Sequence, residues 1–277
     1  MKDLFITPSF AIERAQAHTE IKAALKTKMD SDGGSKMSLE EYAEELRKFY
    51  RLRQPYAGPD SAGTAKIHLF GMLGSKWDPV YRVLGLVTDY EDVESELAKA
   101  LADANTKRIL LDCESGGGYA LGVEAAAKAI LSAREKVDIF AYSDDLCCSA
   151  CYYIAAGAHA IYASEDAITG SIGIRMEYFT YVGMLEQLGI KAQEFKGTGN
   201  DLKAAGSPLH EPSDEEKAFL QASMDEGLLR FQSHVAACRP GLDAEVFRAG
   251  HYSGEHAMDL GLIDGITSRT GLAGMIS

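Results

Sequence analysis

From Lys66 to Cys238 short apolar runs take turns with amphipathic stretches, and this alternation constrains the fold more than any other feature of the chain. KIHLFGM (66–72), RILLDCE (108–114), VDIFAY (137–142) and AIYA (160–163) read as strands, several of them apolar enough to be buried on both faces. EDVESELAKALADA (91–104), YALGVEAAAKAILSA (119–133) and SACYYIAAGA (149–158) lie between them and read as helices. Further on, SIGIRM (171–176) and KAQEF (191–195) read as strands around a helix at 177–189. A long helix at 213–238 opens on the capping box Ser213/Glu216. Parallel neighbours need a crossover of a dozen or more residues, which a helix supplies. The alternation therefore predicts an α/β fold with a largely parallel sheet.

Residues 1–63 follow another pattern. FAIERAQAHTEIKAALKTKM has helical spacing, SDGG breaks it, and Ser38 with Glu41 starts a second helix. QPYAGPDSAG (54–63) then reads as a linker. The expected division is a helical arm and linker at 1–63 and one domain at 64–277. An arm with too little apolar surface for a core of its own is expected to pack on a neighbour or on another copy of the chain. Of 277 residues 28 are Lys or Arg and 41 are Asp or Glu, a net charge of −13. That balance argues against non-specific binding of nucleic acid or anionic lipid, both of which reward a basic face. No apolar run reaches the roughly 20 residues of a membrane span. The first residues do not read as a signal peptide, so a cytoplasmic protein is expected. The five cysteines follow no disulfide framework and are expected as reduced thiols.

Two strand-to-helix junctions could carry chemistry. In ILLDCESGGGYALG three glycines follow a strand, where backbone N–H groups can converge on an anion or a developing oxyanion. The spacing G-x-G-x-x-x-G misses the dinucleotide fingerprint, and no Walker lysine follows. In DDLCCSACYYIAAGA, Ser149 stands at a helix start, where serine is ordinarily only a cap. Cys147, Cys148 and Cys151 crowd around it. Zinc would need a fourth ligand that the spacing does not supply, so packing is the better account of these cysteines. His159 lies at the far end of the same short helix, and no G-x-S-x-G elbow is present. A serine without a histidine can be activated by a neutral lysine, a state that burial favours. FKGTGNDLKAAGSP offers Lys196 and Lys203.

Taken in order, strand–SGGG–helix, CSACYYIAA, ITGSIGI, a lysine four residues before Ser-Pro, and YSGEHAMDLGLID resemble the signal peptide peptidase family, most nearly its phage head maturation proteases. The resemblance spans roughly 66–266. It implies the ClpP/crotonase fold of strand–strand–helix units and a serine endopeptidase with a Ser–Lys dyad. It matches Ser149 to the nucleophile, Lys203 to the general base, Gly117, Gly118 and Ala150 to the oxyanion hole, and Ser171 to the residue that holds the lysine. No metal or cofactor is implied. Gly116 replaces a usual proline, which is expected to loosen the turn. Cys151 replaces a usual glycine.

These matches lead to an expected substrate of capsid or scaffolding proteins and an expected homo-oligomer, with the dyad formed within one chain or across subunits. Lys203 is expected in a dry pocket between Ser149 and Ser171. Residues 74–90 are expected as a flap over the groove. The specificity pocket is expected to be lined by Ala150, Cys151 and the Gly117–Gly118 turn. Three other readings compete: a cytosolic peptidase degrading signal peptides, a relative with crotonase-type acyl-CoA chemistry, and an inactive capsid-assembly module.

Overall fold

The computed structural model describes residues 41, 44, 53, 56–77, 81, 82 and 85–276. Most of the arm expected at 1–63 lies outside the described residues, Ser38 of its capping box included. Arg53 is described; its guanidinium pairs with buried Glu96 and donates to the His68 carbonyl at 3.3 Å.

The first strand–strand–helix unit is β1 (Thr64–Gly74), β2 (Val87–Asp89) and α1 (Tyr90–Ala102). β3 (Arg108–Gly118) leads into α2 (Val123–Arg134), and β4 (Asp138–Ser143) and β5 (Leu146–Cys148) into α3 (Ala150–Ala155). β6 (Ala160–Ala163) and β7 (Ile168–Gly170) follow, then α4 (Val182–Gln187), a 3-10 turn at Asp201–Ala204 and α5 (Asp214–Cys238). A second 3-10 turn (Ala244–Arg248), β8 (His251–Ser253), α6 (Gly254–Asp259), β9 (Gly265–Ile266) and α7 (Leu272–Met275) close the fold. Strand order is β8-β7-β5-β3-β4-β6-β9, with β1 on β3 and β2 on β1. Every pairing of these strands is parallel except β7 with β8. This is the α/β organisation with a largely parallel sheet and strand–strand–helix units expected of the sequence.

The long strand β3 joins two sheet segments. Arg108 to Asp112 lie beside β4, whereas Ser115 pairs with Cys147 of β5. Helices cover one face. On α1, Val93, Leu97 and Ala100 recur at helical spacing and are buried; on α2, Val123, Ala126, Ala127, Ile130 and Ala133 do the same. They meet Ile67, Leu69, Ile109, Leu111 and Ile139 of the strands. Each fully buried Ile or Leu contributes about 1.5–3 kcal/mol. Asp89 caps α1 by accepting from the Glu91 N–H at 3.0 Å. The Ser213/Glu216 box opens α5 as the sequence predicts.

Three sequence expectations need correction. The SGGG run is not a loose turn: it is the end of β3, with Gly117 and Gly118 in register with Met72 and Leu73 of β1. Gly116 falls at the irregularity of that ladder, between the Phe70–Glu114 and Met72–Gly117 pairs. The strand placed at 171–176 ends instead at Gly170, since Ser171 adopts φ 53° and leaves the ladder. KAQEF at 191–195 is exposed and pairs with no strand among the described residues.

Candidate active site

Ser149 sits between β5 and α3 with φ 53° and ψ −124°, a conformation that side-chain-bearing residues rarely adopt. Its N–H donates to the Gly170 carbonyl at 2.9 Å, and its carbonyl accepts from the Tyr153 N–H at 2.8 Å. These bonds hold a backbone whose strain costs about 1–3 kcal/mol. The hydroxyl makes no capping bond, so this serine is not serving the ordinary role of its position.

The glycines of β3 wrap the turn. Gly117 has φ 112°, and a Cβ there would lie 2.6 Å from the Ser149 Cβ. A Cβ on Gly118 would lie 1.9 Å from the Leu73 carbonyl oxygen. Both positions therefore require glycine, one for the serine and one for β1. The Gly117 N–H donates to Ser115 Oγ at 3.0 Å and is directed away from an oxyanion role in this state. Gly118 and Ala150 line the same cleft as Ser149. Ala150 begins α3, so its N–H has no acceptor within the helix.

The cleft is completed by Tyr153, Ile174 and Phe231, with Glu124 and Arg230 among its walls. The two charged groups are paired along their own helices, Glu124 with Lys128 at 2.7 Å and Arg230 with Glu226. Sequence reading missed the α5 wall. Its signal was the spacing of Gly227, Phe231 and Val235, which brings α5 so close that a Cβ on Gly227 would lie 2.8 Å from Ile174. Cys151, expected in this pocket, is fully buried and does not line it, because the first turn of α3 carries it inward.

Cysteine is a poor candidate for the nucleophile. Burial pushes the Cys148 thiol up to about 12, and its Sγ lies 3.4 Å from the Ile168 carbonyl. Cys147 and Cys151 have no exposed surface. His159 Nδ1 accepts from the Ile139 N–H at 3.0 Å, which engages it with β4.

Lys203 stands exposed on the 3-10 turn at Asp201–Ala204 and is absent from the cleft lining, which holds neither lysine nor histidine among the described residues. Among the described residues no dry pocket encloses it. Lys196 is engaged elsewhere: its Nζ donates to the Asp201 carbonyl at 3.1 Å and lies 3.8 Å from Glu216. Glu216 also binds His210 at 3.0 Å. Ser171, with its own positive φ, donates its N–H to the Gly250 carbonyl at 2.7 Å.

The expected flap is tied at both ends. The Trp77 N–H donates to Asp89 at 3.1 Å, its ring packs on Tyr119 at 5.5 Å, and β2 lies on β1. Residues 78–80, 83 and 84 between them lie outside the described residues.

No helix among the described residues is long and apolar enough to cross a membrane. The chain is similar to capsid assembly protease C of Escherichia phage lambda, 30% identical over 211 residues that cover 75% of this chain and 47% of that one. It is similar also to an Enterococcus faecium protein described as a signal peptide peptidase, SppA, 32% identical over 183 residues covering 64% and 52%. The chain thus spans about half the length of the curated relatives it matches. Among solved structures it is similar to a membrane-bound stomatin-specific protease, with TM-score 0.42, 16% identity and coverage of 75% and 82%. The pattern of peptidase family S49 matches residues 132–274, a stretch that takes in the Ser149 turn, the strand before Ser171 and the Lys203 segment, and the chain belongs to that family.

Proposed function

We propose that the chain is a serine endopeptidase in which Ser149 attacks the peptide carbonyl and Lys203, supplied by a second copy, accepts its proton. The observation that carries this reading is the Ser149 turn: a strained serine with an uncommitted hydroxyl, opening on a cleft beside Gly118 and Ala150. As the Oγ–carbon bond forms, the N–H groups of Gly118 and Ala150 donate to the oxyanion. Removing one such donor costs on the order of 100-fold or more in rate. The lysine returns the proton to the leaving amine, and then deprotonates the water that opens the acyl ester. Ser171 orients the lysine amine.

The exposed position of Lys203 supports a shared site. So do the exposed apolar side chains on the same stretch of chain, Phe179, Leu188, Ile190 and Phe195, which suit burial against another copy. A homo-oligomer of this kind lets the partner exclude water around the lysine. The apolar cleft suits small or medium apolar residues before the scissile bond. The lambda protease match takes in 75% of this chain and favours capsid or scaffolding protein as substrate, cleaved during phage head maturation. Within this reading residues 64–277 form the peptidase domain and 1–63 an arm.

A fluorophosphonate probe followed by intact mass tests the nucleophile. One adduct per chain on Ser149, absent from folded Ser149→Ala, is expected. An adduct that persists in Ser149→Ala, or none on the native protein, overturns the reading.

A further inference from the structure

Three thiols meet directly behind the Ser149 turn. Cys113 comes from β3, Cys147 from β5 and Cys151 from the first turn of α3. Their Sγ atoms all lie within 4.8 Å of one another, and none of the three residues has exposed surface. Adjacency in the sequence would group Cys147, Cys148 and Cys151. The fold selects otherwise, because Cys148 faces the Ile168 carbonyl and Cys113 takes its place.

The donor set is all sulfur and threefold. No histidine or carboxylate joins it among the described residues, so the tetrahedron of a structural zinc ion is not completed. Sulfur-only sites select soft ions, Cu(I) among them. A planar three-coordinate ion with bonds of about 2.3 Å sets its sulfurs about 4 Å apart, within the spread observed.

We infer that Cys113, Cys147 and Cys151 form a three-coordinate site for a soft monovalent metal ion, Cu(I). As the sulfurs coordinate, any protons they lose pass to solvent. Copper remains Cu(I), so no oxidant or reductant takes part. The site rests on the cluster alone and is independent of any catalytic role for Ser149.

The test titrates the full reduced chain, without oxygen, with Cu(I) against the chelator bathocuproine disulfonate, and examines the bound ion by X-ray absorption. The expected result is one Cu(I) per chain with three sulfur neighbours, undisplaced by Zn(II). Cys113→Ser, Cys147→Ser and Cys151→Ser each weaken retention by about tenfold or more, at least the cost of losing an outer-shell partner. Cys148→Ser and Cys238→Ser leave it unchanged. Loss of all copper to the chelator, two-sulfur coordination, displacement by Zn(II), or retention in the Cys113 variant would overturn the proposal. The coordination number is read on the native protein, so it decides the matter even where a variant does not fold.

Discussion

At the scale of single residues the site depends on two positions that carry almost no bulk. Gly117→Ala would place a Cβ 2.6 Å from that of Ser149, at a backbone φ of 112°. The variant is expected to lose fluorophosphonate labelling by about 100-fold or more, as loss of an aligned site does, and to lose about 1–3 kcal/mol of stability in urea unfolding. Wild-type labelling would show that the serine tolerates displacement. Ser149→Ala and Lys203→Ala are each expected to abolish peptide turnover while circular dichroism stays native. Arginine at 203 is expected to be equally inactive, since guanidinium does not release its proton. Lys196→Ala is expected to keep most of the activity, although it loosens the contacts to Asp201 and Glu216. The nucleophile candidate was legible because its motif is local: Cys147 to Cys151 span five positions around the junction of β5 and α3. The cysteine triangle was not, because Cys113 reaches it through β3–β5 pairing that no spacing in the sequence displays.

At the scale of elements, local pattern gave way wherever a partner decides the outcome. β1, β3, β4, β6, α1 and α2 were readable from their apolar pattern, since each buries a face against its neighbours, and α5 from its Ser213/Glu216 capping box. KAQEF has the alternation of a strand and yet pairs with no strand among the described residues, and the helix expected at 177–189 shortens to Val182–Gln187. Both lie in the stretch from Ser171 to Pro212, which folds on itself through the Tyr181 N–H to the Pro208 carbonyl at 2.8 Å and Tyr178 Oη to the His210 carbonyl at 2.9 Å. A strand-like sequence left exposed on such a stretch suits pairing with a second copy. Leu188→Ser and Phe195→Ser touch exposed side chains, so a single chain should change by no more than about 0.5 kcal/mol. Sedimentation is expected to show them shifted toward smaller species with lower activity. Unchanged assembly would remove this stretch from the interface.

Across the whole molecule the carboxyl-terminal turn is tied back to the sheet. Arg269 donates to both oxygens of Asp112, at 2.8 and 2.9 Å, and to Asp144 and Glu114. Burial works to raise the Asp112 carboxyl, but hydrogen bonding and charge from His68 and Arg269 outweigh it and hold the carboxyl below its ordinary value. A depressed carboxyl stabilises the fold above the ordinary carboxylate range, and that contribution is lost as pH falls through its folded value. Arg269→Ala is therefore expected to cost about 1–3 kcal/mol at neutral pH, discounted for the partly exposed guanidinium. The gap from wild type should narrow in acid; a gap independent of pH would assign the loss to packing. The central claim is that the serine of one copy works with the lysine of another, and mixing two dead variants tests it most directly. Ser149→Ala and Lys203→Ala proteins, unfolded and refolded together in equal amounts, are expected to recover about a quarter of wild-type turnover, the share of neighbouring pairs that bring an intact serine to an intact lysine. A mixture as inactive as its parents, with assembly restored, would contradict the account.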